Sequence, residues 1–123
     1  MSDESDEGSP KIRQYLKKIE TKEKTFTLYL FVVEYSNAIQ VAVYENKPSL
    51  GSMSFGYING DLSEKLEIFS GNHNQYSNAL ALILAKRLGK VIYASVNLNR
   101  DTIVDLSMIK GLLENYFQDL VAQ

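Results

Sequence analysis

Residues 25–45 read TFTLYLFVVEYSNAIQVAVYE, and the fold of the whole chain turns on how this stretch is arranged. Its first half, Thr25 to Tyr35, is rich in aromatic and β-branched residues, which suit a pleated, partly buried surface. Ser36, Asn37 and Ala38 give a turn signal, and the strand pattern resumes at Ile39, so the stretch predicts a β-hairpin. The first strand is apolar on both sides. Phe26, Leu28, Leu30 and Val32 fall on one face, and Tyr29, Phe31, Val33 and Tyr35 on the other. A sheet covered by helices on one side needs only one such row. The second row predicts cover from outside the fold, because a large exposed apolar patch is rare on a monomer.

Working outward, ENKPS (45–49) breaks the chain. Gly51 to Tyr57 alternates small residues with Met53, Phe55 and Tyr57, the pattern of a half-buried strand. INGD (58–61) is a further turn, and LSEKLEIFS (62–70) a fifth strand. Gly71 to Gln75 is a polar loop. Gln75 to Leu88 is helical, with Leu80, Leu84 and Leu88 at every fourth position and Ile83 in the adjacent row. Lys86 and Arg87 complement the helix dipole in its last turn, and Gly89 follows as the terminating glycine.

Val91 to Leu98 is a strand. Thr102 and Asp105 have capping-box spacing, and the last helix spans about residues 103–121. Its main stripe is Leu106, Ile109, Leu113, Phe117 and Leu120. An extra row of Val104, Met108 and Leu112 widens it, which fits either deep burial or contact with another subunit. Residues 11–20 are open to either a short helix or a strand, since Ile12, Leu16 and Ile19 keep helical spacing. A β-meander followed by helix, strand and helix predicts a single-domain α+β fold in two layers. Its sheet is largely antiparallel, and its two main helices, about 75–88 and 103–121, cover one face.

The 123 residues suit one core, assigned here to residues 10–123. Residues 1–9 contain Asp3, Glu4, Asp6 and Glu7 and read as a disordered acidic tail with no apolar signal region. Without those four acids the chain has 13 Lys and Arg against 11 Asp and Glu, far from the dense basic footprint of a nucleic-acid binder. The apolar run Leu28 to Val33 is too short to span a membrane. There is no cysteine and a single histidine, His73, so disulfides, thiolate metal sites, cysteine nucleophiles and multi-histidine sites are excluded.

The strand–loop–helix KRLGKVIYASVNLNRD (86–101) has the layout of a phosphate site. Its loop, however, contains no glycine to let backbone amides approach a phosphate, and turn-and-cap chemistry explains it better. His73 lies in a polar loop with no marked partner. Asp61, Glu64 and Glu67 suit a solvated edge. These readings predict no enzyme and no cofactor. What the chain has in excess is contact surface. It contains eight tyrosines, a residue type enriched at interfaces, and Tyr93, Ser95 and Asn97 alternate along one strand. The candidate anchors for a protein partner are Tyr29, Phe31, Tyr93 and Met108, with Asn97, Asn99 and Arg100 at the rim.

The segment ALALILAKRLGKVIYASVNLNRD (79–101), followed by an amphipathic terminal helix, resembles the proteasome assembly chaperone 4 family. The matching features are the helix Leu80–Leu88 with its basic end, Lys90 in the turn, Val91–Tyr93, and Ser95–Leu98 as S-x-N-L. LGSMSFGY and the hairpin at 25–45 are similar at the level of pattern. The resemblance implies a six-stranded antiparallel sheet with residues 11–20 as its first strand. It also implies a heterodimer with a paralogous small chaperone that acts on proteasome α-subunits. The pair would promote α-ring formation of the 20S core particle in the cytoplasm and nucleus, and dissociate without ATP. The acidic leader has no match in it, and residues 58–75 match it poorly. A homodimeric scaffold of the roadblock or longin kind, serving signalling or trafficking, is the alternative that the residues leave open.

Overall fold

The computed structural model describes residues 8–99 and 106–122. Residues 11–20 form β1 (Lys11–Glu20), which pairs along its whole length with β2 (Thr25–Glu34), from Lys11↔Glu34 to Glu20↔Thr25. The ladder decides the conformation, because every second residue of β1 then faces the core side or the opposite side of one sheet. The hairpin at 25–45 forms as expected, with β3 (Ala38–Glu45) antiparallel to β2.

The expected succession of hairpins is interrupted after β3. β4 (Ser52–Asn59) and β5 (Leu62–Phe69) make their own hairpin, and β6 (Val91–Asn97) enters between β3 and β4. The strand order is β1-β2-β3-β6-β4-β5. β6 is antiparallel to β4 but parallel to β3, with Ala38 opposite Val91. The sheet is thus mixed and largely antiparallel, rather than wholly antiparallel as the resemblance implied. The reason is the helix α1 (Asn74–Leu88), which carries the chain back along the sheet so that β6 starts at the end where β3 starts. Strands joined through a helix run parallel, whereas a two-residue turn reverses direction.

Both helices lie on the same face. α1 packs on β4, β5 and β6, and α2 (Leu106–Val121) on β1 and β2. Between them and the sheet lie Leu28, Leu30, Val32, Val43, Ile92 and Val96, all fully buried, against Leu80, Leu84, Ile109 and Leu112. The extra row on the last helix therefore belongs to the core: Leu112 is fully buried and Met108 packs against the same cluster. The capping pair Thr102 and Asp105, and Val104, lie outside the described residues. Gly89 ends α1 in the left-handed region at φ 65°, its N–H bonded to the Ala85 carbonyl at 2.9 Å.

Two local devices fix the helices to the sheet. At Gly56 the backbone of α1 comes so close that a Cβ would collide with the Ala81 carbonyl. Beside it, the buried hydroxyls of Ser54 and Ser77 bond across the layers at 2.8 Å. α2 is held by a polar network instead. The fully buried Tyr116 donates its hydroxyl to Glu34 Oε2 at 2.6 Å. Arg13 Nε lies 3.3 Å from the same oxygen, as an ion pair out of line for a hydrogen bond. Tyr15 donates to Asp119 at 2.7 Å, and its ring centroid is 6.0 Å from that of Tyr116. Tyr116 was not among the expected core residues, although it stands four positions after Leu112 and continues that row.

Gly56→Ala is expected to cost stability at the upper end of about 1–3 kcal/mol, because rigid backbone has to move. Chemical denaturation measures this, and a neutral result would show that α1 does not sit on Gly56. The tyrosine network predicts a pH dependence. Burial, then the bond to Asp119, pushes the Tyr15 hydroxyl up from 10.0 to about 12. Burial and Glu34 push Tyr116 up as well. A raised folded-state value means that the contribution is complete below pH 10 and lost as the pH rises towards 12. Stability should fall across that window, and fall less in Tyr15→Phe. A wild-type profile flat through it would contradict the network's role.

Candidate functional site

The sheet face opposite the helices carries no helix, and the strand register places three rows of side chains across it. One row runs Leu16, Tyr29, Tyr44, Asn97. The next runs Gln14, Phe31, Ala42, Ser95, Met53, Phe69, and the third Ile12, Val33, Gln40, Tyr93, Phe55, Leu66. None of these residues is charged. Ile12, Leu16, Leu66 and Phe69 are each about 60% exposed and Tyr93 is 42% exposed, which is unusual for such side chains on a monomer.

Ring contacts make parts of this face rigid. Tyr29 stacks on Tyr44 with centroids 5.2 Å apart, and Phe55 meets Tyr93 edge-on at 5.1 Å. Gln14 Nε2 donates to the Tyr44 hydroxyl at 3.0 Å, so the aromatic pair is tied to the edge strand. The loop after β3 folds over one end of the face. Its turn uses Asn46 at φ 62°, whose side-chain oxygen accepts from the Thr27 N–H at 3.1 Å. Asn tolerates this left-handed conformation better than most residues. Gly51 N–H then bonds the Ser95 hydroxyl at 3.0 Å, and Asn97 Nδ2 donates to Ser49 Oγ at 2.8 Å. Between Pro48–Leu50 and the floor of Phe31, Ala42 and Tyr44 lies an open apolar groove of about 500 Å³.

A second polar cluster lies at the same end of the sheet. Glu45 is buried; it accepts from Lys24 Nζ at 3.1 Å and from the Asn99 N–H and Nδ2 at 3.2 and 2.8 Å. His73 donates its backbone N–H to Ser52 Oγ at 2.9 Å, and its Nδ1 makes a long contact of 3.5 Å with the Leu98 N–H. Burial pushes the imidazole down, against the opposing pull of Glu45. These bonds pin the segment 97–99. Among the described residues no group of three or more His, Asp or Glu is placed to hold a metal ion, and no helix is long and apolar enough to cross a membrane.

The open face brings together Tyr29, Phe31, Tyr93 and Asn97 from the expected contact residues. Asn99 is at its end, held by Glu45. Met108 is on α2, beyond the sheet, and does not join them. Arg100 lies outside the described residues. Ile12, Leu16, Phe55, Leu66 and Phe69 were not expected there. The alternation of Met53, Phe55 and Tyr57 announced a half-buried strand but not which of its faces is open.

No family model matches the sequence, and no curated protein matches it. Among solved structures, a chain of the crystal structure described as a novel chaperone complex for yeast 20S proteasome assembly shares the fold. The two are 12% identical, with a TM-score of 0.55, over 90% of this chain and 93% of that one.

Because Ile12 and Leu16 project from an uncovered face, Ile12→Lys and Leu16→Lys should change stability by no more than about 0.5 kcal/mol. Leu30→Lys, on the helix side of the neighbouring strand, should prevent folding. Thermal unfolding distinguishes the two. A large loss at Ile12 or Leu16 would mean that the face is covered from within the chain.

Proposed function

We propose that this chain is an assembly chaperone for the 20S proteasome, working as a heterodimer with a second small chaperone of similar shape. The observation that supports this reading is the aromatic-rich sheet face, uncharged in its three central rows and free of helices, on a fold shared with a chain of the yeast chaperone complex. A partner with its own open sheet would stack on it about 10 Å away, as paired sheets do. Apolar burial would supply the affinity, with Tyr29, Phe31 and Tyr93 as central anchors and Asn97, Asn99 and Arg100 as rim. The pair would bind proteasome α-subunits in an early intermediate and promote α-ring formation. It would leave when the same subunit surface is needed elsewhere. This mechanism is differential binding and uses no nucleotide. Its place of action would be the cytoplasm and nucleus, where the particle is built.

Affinity purification from the native cell, followed by mass spectrometry, tests the reading. Recovery of one similar-sized chaperone with free α-subunits, and no mature particles, is the expected result. An eluate of trafficking or GTPase-regulating proteins would replace it with the homodimeric scaffold. Tyr93→Ala removes the edge contact with Phe55 and should weaken partner capture about tenfold or more. The melting temperature should shift little. Charge reversal at Arg100 should act in the same direction. Loss of the fold in either variant would assign that residue a structural role instead.

A further inference from the structure

Both edges of the sheet expose apolar side chains, Ile12 and Leu16 on β1 among them, but their charges differ in kind. β1 is lined with cations: Lys11, Lys17 and Lys18 are exposed and Arg13 lies among them. Charged residues of this kind discourage a foreign strand. β5 exposes Leu62, Leu66, Ile68 and Phe69, each between 52% and 69%, and its charges, Glu64, Lys65 and Glu67, are of both signs. We infer that β5 is a pairing edge for a second copy of this chain, joined antiparallel in a register centred on Leu66.

The argument begins with the β4–β5 turn. Asn59 and Leu62 flank the two-residue loop Gly60-Asp61, with Gly60 at φ 67°, and such a loop closes on a hydrogen-bonded pair. Bonded and non-bonded pairs alternate along the ladder as far as Ser54↔Glu67, where the register shifts past Ile68, so Tyr57↔Glu64 and Phe55↔Leu66 are bonded as well. The backbone groups of Leu62, Glu64 and Leu66 therefore point at β4. Those of Ser63, Lys65 and Glu67 point outward, free to pair.

A two-fold axis at Leu66 sets Lys65 opposite the Glu67 of the second copy, and Glu67 opposite its Lys65. Both are positions with outward backbone groups, so each ion pair coincides with a hydrogen-bonded pair. Leu66 faces its own copy at the close, non-bonded position, about 4.5 Å between Cα atoms, where apolar side chains meet best. Other registers fail on charge or overlap. Centring on Glu64, Lys65 or Glu67 sets like charges against each other. Centring on Ser63 overlaps only the first residues of the strand. Within one chain Lys65 and Glu67 are already 3.8 Å apart and partly exposed, so their charges need little rearrangement to cross the edge. The joined sheets would merge two open faces into one continuous apolar surface.

The test is sedimentation of the full chain alone, from micromolar to near-millimolar concentration. The expected result is a concentration-dependent dimer. Lys65→Glu should weaken it about tenfold or more, since symmetry makes two repulsive pairs, and Glu67→Lys should do the same. The double swap Lys65→Glu/Glu67→Lys should restore it, an outcome that only this register gives. Glu67 also accepts from Asn78 at 2.7 Å, so a helical reference spectrum accompanies each variant. Amide hydrogen exchange supplies the second readout: Ser63, Lys65 and Glu67 should gain protection with concentration. A monomer at every concentration would overturn the inference. So would a dimer indifferent to the charge reversals, or one broken by Leu16→Lys on the far side of the open face. That last result would leave the chaperone reading standing while removing this one.

Discussion

The constraint on which this structure depends is that two helices cover one face of a six-stranded sheet, while the other carries no helix and only the loop after β3 at one end. β2 displays the consequence most clearly. Its even residues, Phe26 to Val32, are buried to 4% exposure or less beneath the helices. Its odd residues, Tyr29, Phe31 and Val33, are equally apolar in character but look outward. A core built only from the first row closes the fold, and the second row is left on the face without helices. Core and open face are thus divided between alternate positions of the same strand.

Insertion of β6 between β3 and β4 makes that surface continuous. Had β4 paired with β3, the two hairpins would have left β6 at an edge, and Tyr93 would not lie between Gln40 and Phe55. The same insertion places Ser95 and Asn97 beneath the loop after β3, where they fix the loop's course. Polar residues that looked like a semi-exposed contact surface are therefore partly used to shape the groove. Asn99 is likewise held by the buried Glu45. The rim is preorganised by hydrogen bonds, whereas the floor is held by ring stacking.

Much of this was legible in the sequence because it rests on local periodicity. The hairpin at 25–45, the helix ending at Gly89, the strand after it and the double-sided apolar character of β2 all follow from spacing between neighbours in the chain. The shared face of Tyr29, Phe31 and Val33 was legible for the same reason. Residues 11–20 were not, since Ile12, Leu16 and Ile19 satisfy a helical pattern and only the ladder with β2 excludes it. Tyr116 was overlooked because a phenol inside a helical stripe becomes a core residue only when a partner such as Glu34 satisfies its hydroxyl.

By itself the sequence determined the elements from Thr25 onward, their order, the α+β class and the surplus of apolar surface, because these depend on residue type at period two or 3.6. The tertiary structure decided the strand order, the parallel pairing of β6, and which row of each strand faces outward. It also decided that Met108 turns inward while Leu66 and Phe69 turn out. Those outcomes depend on contacts between residues far apart in the chain. A one-residue change of register exchanges the two faces of a strand without altering its pattern.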